Sequence, residues 1–171
     1  AFHLEGSDLI KKIRKDYPFP IKGNVLVVDR MDIEHPSIKE GSQILRKIYG
    51  KFVPEMMKGL IRESRLKNRK EFGTEFTRHA KKLILENEDD YVFNSVETSD
   101  ISRVDICNFD IFIKKIAEAE YIFTNRLHVG VLGHLLSRDT YMREGSYYKM
   151  TGIYELSMSG RLSTKILNRY R

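Results

Sequence analysis

The sequence predicts an α/β domain built on a parallel sheet with flanking helices, and three observations carry that expectation. The short, continuously apolar run Val25–Val28 is too brief for a helix and too apolar for a half-exposed strand, so it reads as a strand buried on both faces, and Tyr121–Thr124 reads as a further short strand. Segments with helical apolar spacing separate these runs, which is the kind of crossover that parallel neighbours require. All four prolines, Pro18, Pro20, Pro36 and Pro54, fall in the first third of the 171 residues, so the rest is punctuated by glycine alone.

The elements follow in order. Ser7 suits the cap of a helix running to Asp16, with Asp8 in its positive first turn. Leu9, Ile10 and Ile13 form its apolar side, and Tyr17-Pro18 ends it. Gly23-Asn24 then leads into the strand Val25–Val28, which stops at Asp29-Arg30. From Ser42 to Glu86 the pattern is helical and basic, with breaks expected near Pro54 and Asn68. Asn87 to Asp90 is an acidic turn, and Tyr91 to Val96 reads as a strand. Asn108 caps a helix whose apolar face holds Phe109, Phe112, Ile113, Ile116 and Ala117. After Tyr121–Thr124, residues Asn125 to His128 open a further helix through Val131, Leu132, Leu135 and Leu136. Tyr141-Met142 is one more short strand, and Tyr148 to Leu156 one more helix. Residues 1–171 are read as a single domain, with the basic region 40–90 as a candidate insertion.

Composition narrows the classes of function. Hydrophobic residues make up 41% and charged residues 32%, too apolar for a disordered tail and too charged for a membrane bundle. No window approaches the ~18 uninterrupted apolar residues of a spanning helix, so a cytoplasmic location, or one at the inner face of a membrane, is expected. One cysteine, Cys107, can form neither an internal disulfide nor a thiolate zinc site, and it reads as a small core residue. The net charge of +6 suits an anionic ligand, nucleic acid or an anionic surface. Twelve Lys and Arg against five Glu between Gln43 and Glu86 account for the whole excess.

In an open parallel sheet, ligands bind beyond the carboxyl ends of the strands. Two such ends concentrate functional groups: Asp29 to His35 after the first strand, and Asn125-Arg126-Leu127-His128 after the later one. Arg126 and His128 are two residues apart in a turn, where a guanidinium grips phosphate or carboxylate and an imidazole carries a proton. On spacing alone the competing reading is an arginine paired to a surface carboxylate and a histidine satisfied by backbone. His134 lies about 600° further round the same helix at 100° per residue, so no metal shared with His128 is expected and no metal ligand cluster stands out. His3, His35 and His79 read as surface or loop residues, and Tyr147, Tyr148 and Tyr154 as packing groups or sugar-stacking rings.

The segment from Phe109 to Met158 resembles the C-terminal half of the polysaccharide pyruvyl transferase family. The resemblance is carried by Ile116-Ala117-Glu118-Ala119, by Asn125 followed by Arg126-Leu127-His128, and by Tyr147-Tyr148-Lys149. Arg30, Asp32 and Glu34 after the first strand also match the family's R-x-D-x-E. The resemblance implies a Rossmann-like domain, one half of a two-domain fold like that of glycosyltransferase-B enzymes. It implies phosphoenolpyruvate as donor substrate, no further cofactor, and a sugar or lipid-linked oligosaccharide acceptor in exopolysaccharide, capsule or cell-wall synthesis. Arg126 then holds the donor's phosphate or carboxylate, with Asn125 beside it, and His128 is the catalytic acid or base. Arg30 and Lys149 are further anion contacts. The family's glycine-rich N-terminal half has no counterpart here, so a missing domain or an oligomer partner is expected to complete the site.

Two other readings compete. A nucleotide-sugar glycosyltransferase half-domain would share the fold and use an arginine on a diphosphate. A nucleic-acid or anionic-surface module would use the crowded Arg62, Arg65, Arg69 and Lys70. Acidic residues interrupt that cluster and no aromatic platform lies in it, which makes nucleic acid the weaker expectation.

Overall fold

Helix α1 spans Asp8–Asp16 and starts as its first residues predict: Ser7 is extended and its hydroxyl accepts a hydrogen bond from the Ile10 amide. The computed structural model describes residues 5–29, 75–99, 101, 107–143, 149–160 and 162–167. Along these, β1 is Asn24–Val28, α2 covers residues 75–87 and β2 is Ser95–Thr98. They are followed by α3 (Phe109–Glu118), β3 (Tyr121–Thr124), α4 (Leu127–Leu135), β4 (Asp139–Arg143), α5 (Lys149–Ser157) and β5 (Thr164–Leu167).

Among the described residues the five strands form one sheet in the order β2-β1-β3-β4-β5, with every neighbouring pair parallel. The chain moves one way from β1 to β2 and the other way from β3 onward. The gap between the ends of β1 and β3 is therefore the topological switch point, where ligands of open α/β sheets collect.

Side chains alternate across the sheet as the pleat requires. Val25 and Val27 of β1, with Tyr121 and Phe123 of β3 and Tyr141 of β4, face α2 and pack on Phe76, Ala80 and Ile84. Leu26, Val28 and Ile122 face the other way, onto Ile10 and Ile13 of α1, Ile113 and Ile116 of α3, and Val129, Leu132 and Leu135 of α4. A third cluster of Met142, Met150 and Met158 seats α5. Burial on both faces explains why Val25–Val28 reads as an unbroken apolar run. Among the described residues, no helix is long and apolar enough to cross a membrane.

Two glycines let α4 lie close to the sheet. A Cβ on Gly130 would meet only the flexible end of Met142, whereas one on Gly133 would come within 2.6 Å of Thr140 Oγ1 and 2.9 Å of Ile122 Cδ1. The helix ends in a Schellman motif: the Ser137 amide donates to the His134 carbonyl and the Arg138 amide to that of Gly133, with Ser137 left-handed at φ 57°. Two arginines then tie the C-terminal ends of α1 and α4 together. Arg14 of α1 donates to the Leu135 carbonyl at 2.5 and 3.1 Å, and Arg138 after α4 donates to the Tyr17 carbonyl at 2.9 Å. Each cation thus meets the negative end of the other's helix.

Several elements depart from the sequence expectations. Leu9 is 50% exposed, so the apolar side of α1 is narrower than its three aliphatic residues suggest. The strand expected at Tyr91 to Val96 begins only at Ser95, opposite Asn24, because Tyr91 closes a turn on Glu88 and spends its hydroxyl on Glu120. Phe109 is 63% exposed; it stacks on Phe112 in the first turn of α3 instead of joining the core. His79 is not on a loop: it is half-buried on α2. Strand β5 was not anticipated, since an edge strand with Lys165 exposed shows little apolar pattern. Most of the basic region lies outside the described residues, and its last part is helix α2.

The glycines make a measurable contrast. Gly133→Ala is expected to destabilise the protein by about 1–2 kcal/mol, because overpacking against Thr140 and Ile122 outweighs a helix-propensity gain of about 1 kcal/mol. Gly130→Ala, opposed only by a methionine tail, should stay within about 1 kcal/mol of wild type. Urea midpoints at constant m-value test this, and equal destabilisation of both variants would refute the packing account.

Candidate functional site

The two edges of the sheet differ in how their polar groups are used. At the amino edge, Glu120 accepts hydrogen bonds from the Gly23 amide at 2.7 Å and the Tyr91 hydroxyl at 2.6 Å, and Glu88 accepts one from the Tyr121 hydroxyl at 2.5 Å. Burial first, and the neighbouring carboxylates second, push both phenols up, so they stay protonated donors. These groups satisfy one another and hold the chain in place.

The carboxyl edge is built in layers on the α2 face. Val27, Phe123 and Tyr141 share one level of the β1, β3 and β4 register. Phe123 and Tyr141 stack with centroids 4.7 Å apart, and Phe76 meets Phe123 edge-on. One pleat further on, the same alternation brings Asp29, Asn125 and Arg143 level. Asp29 is 2% exposed and Asn125 8%. The Asn125 amide donates to Asp29 Oδ1 at 2.5 Å. From β4, Arg143 reaches past β3 to the same oxygen at 3.4 Å, its guanidinium 4.1 Å from the Phe76 ring centroid. Burial lowers the Arg143 pKa from its ordinary value, against the raising influence of Asp29 and Glu75. His79 of α2 feels this cation too: burial, then Arg143 and Lys82, lower its pKa.

The turn from β3 to α4 is held from the opposite face. The Thr124 hydroxyl donates to the Val28 carbonyl at 3.1 Å and accepts from the Arg126 amide at 2.9 Å, while the Asn125 amide N–H reaches the Val28 carbonyl at 3.3 Å. Arg126 is thereby set as the N-cap of α4, half-exposed, and its side chain makes no capping bond. His128 is exposed in the first helical turn, its ring 5.9 Å from that of Phe112. Leu127 between them packs toward the methionine cluster.

The structure therefore gathers Asn125, Arg126 and His128 beside the switch point. Lys149 is exposed at the start of α5, and Arg30 lies outside the described residues, as do Asp32, Glu34, His3, His35, Tyr147 and Tyr148. Among the other candidates, His134 is buried on Thr164, Tyr154 donates to the Thr164 carbonyl, and Cys107 is a buried core residue. Among the described residues no group of His, Cys, Asp and Glu is gathered as a metal site. The sequence reading assigned no role to Asp29 or Arg143. Their signal was the strand period: Asp29 follows Val27 by two and Arg143 follows Tyr141 by two, which aligns both with position 125. A scan against protein-family models, a search of curated proteins and a search of solved structures each returned no match.

The contact between Asn125 and Asp29 gives a pH-dependent expectation. Asn125→Asp would press two carboxyls together, and one of them would keep a proton well above the usual ~4. The folded variant then holds a proton that the unfolded chain releases, so its stability falls as pH rises above about 4. Relative to wild type, the variant should be clearly destabilised at pH 7.5 and recover toward wild type at pH 5. Urea unfolding at both pH values checks this; a pH-independent difference would mean that the two side chains do not share the buried position.

Proposed function

We propose that this chain is the donor-binding half of a polysaccharide pyruvyl transferase, transferring the pyruvyl group of phosphoenolpyruvate to a pair of sugar hydroxyls as a ketal. The observation that supports this reading is the Asn125-Arg126-Leu127-His128 turn standing at the switch point, where it opens helix α4. A small donor with up to three negative charges calls for cations and outward N–H groups at such a turn. In this reading Arg126 binds the phosphate or carboxylate, with Asn125 holding the turn. Lys149 and Arg30 add anion contacts.

The reaction asks for one well-placed acid. His128 delivers a proton to the methylene carbon, and the adjacent carbon takes the oxygen of one sugar hydroxyl. Phosphate leaves with the electron pair of its C–O bond, and the second hydroxyl oxygen then closes the ketal. Of the two hydroxyl protons, one replaces that given by His128 and the other leaves with phosphate. Exposure of His128 fits an acid that meets an acceptor entering from outside the domain. The acceptor, a sugar or lipid-linked oligosaccharide at the cytoplasmic face of a membrane, is then held against this edge by a facing domain or a second chain, as in a glycosyltransferase-B-like pair.

Calorimetry with phosphoenolpyruvate tests the assignment. Wild type should bind it and gain thermal stability, and Arg126→Ala should weaken the affinity about tenfold or more through loss of a charge-assisted bond. His128→Ala should retain most of the binding and lose phosphate release with acceptor. Unchanged affinity in Arg126→Ala would remove Arg126 from the site. Tighter binding of a nucleoside diphosphate-sugar than of phosphoenolpyruvate would favour the glycosyltransferase reading.

A further inference from the structure

Nothing in the donor reading uses Asp29 or Arg143, yet they are the most deeply placed charges at the carboxyl edge. Asp29 is 2% exposed, and the side chain of Arg143 is 17% exposed. Burying both carries a solvation cost that an unused surface pair would not carry. Their placement is also unusual in reach. Arg143 stands on β4, beside β3 and the Asn125 that follows it, but its terminal nitrogen passes that strand to meet Asp29 just after β1. Asn125 donates to the same oxygen from between them. Three strands are thus tied at one level immediately before Arg126, and Phe76 of α2 covers the guanidinium from above.

We propose that Asp29 and Arg143 are positioning residues: with Asn125 they form a strap across the end of β3 that fixes the direction in which the β3–α4 turn presents Arg126 and His128. The strap explains why an amide stands at position 125. A second carboxylate there would repel Asp29, whereas the amide N–H donates to Asp29 Oδ1 and keeps a single negative charge for Arg143. The strap acts on the α2 face, and the Thr124 hydroxyl holds the same turn on the other face. The turn is therefore clamped from both sides, as a preorganised ligand site requires. That the clamped groups bind a donor rests on the function proposed above; the clamp itself does not.

Two readouts on the ligand-free chain and on its mixture with phosphoenolpyruvate separate these statements. Asp29→Asn keeps the shape but loses the charge that joins Arg143 and Asn125. Amide hydrogen exchange at Asn125 and Arg126, whose amides donate to the Val28 carbonyl and the Thr124 hydroxyl, should become at least about tenfold faster, with the protection of β1 and of the α4 core retained. The affinity for phosphoenolpyruvate should fall by about tenfold or more. The exchanged pair Asp29→Asn with Asn125→Asp restores one carboxylate, one amide and the guanidinium at the same level, and should bring both readouts back to within about threefold of wild type.

Wild-type exchange rates at Asn125 and Arg126 in Asp29→Asn would overturn the proposal, as would an exchanged pair no better than the single variant. If wild type and the exchanged pair both fail to bind phosphoenolpyruvate while the exchange pattern holds, the donor reading falls and the strap stands. Should Asp29→Asn not fold, Arg143→Met, which keeps a long unbranched side chain without the charge, is read by the same exchange measurement: faster exchange at Asn125 and Arg126 supports the strap and unchanged exchange overturns it.

Discussion

In a strand whose side chains alternate, a slip of one residue turns every group to the opposite face. The pairing of Val25 with Tyr121 through Val28 with Thr124 therefore decides what meets at the carboxyl edge. In the observed register Asp29 and Asn125 share the α2 face, and Val28 and Thr124 share the other. Shifted by one, the buried carboxylate would face the aliphatic side of α4, and the arginine of β4 would lose its buried counter-charge. The apolar layers below hold the register: Val25, Val27, Tyr121, Phe123 and Tyr141 against α2, and Leu26 and Ile122 against α1, α3 and α4.

The two edges of the sheet show how the same types of group serve different ends. At the amino edge, phenols and carboxylates pair within hydrogen-bond distance, and Glu120 joins the start of β1 to the turn before β2. This is cross-bracing. At the carboxyl edge the charged pair is buried beneath a turn whose own arginine and histidine remain half-exposed and exposed. Buried polar groups as support beneath titratable groups at the rim are the layout that the proposed donor site calls for.

The architecture was legible in the sequence because its central strands are buried on both faces and its helices carry capping residues; Ser7 and Asn108 both cap as their side chains predict. The Arg126 and His128 pair was legible too, since a turn after a buried strand at a sheet's carboxyl edge is a place defined by topology. What could not be read was lateral. That Arg143 bypasses β3 to reach Asp29 depends on strand order, and strand order is not written in any local pattern. Phe109 and Leu9 show the complementary limit. Helical spacing places a residue on a face, but whether that face extends past the sheet depends on where the sheet ends. β5 lacked a signal because an edge strand needs only one buried side, and Thr164 supplies it with a polar side chain bonded to His134.

The arginine exchange between α1 and α4 bears on how the chain acquires its form during synthesis. Arg14 and its acceptor at Leu135 are 121 residues apart, as are Tyr17 and Arg138. At translation rates of about 5–20 residues per second, α1 leaves the ribosome roughly 10 s before the carbonyl that anchors it exists. β1 waits almost as long for β3, although it lies inside the sheet. Through that interval the amphipathic α1 lacks the α4 end that anchors it, and β1 lacks the neighbour β3. An early-made part of the domain is then secured late, and it is exposed meanwhile to unwanted association.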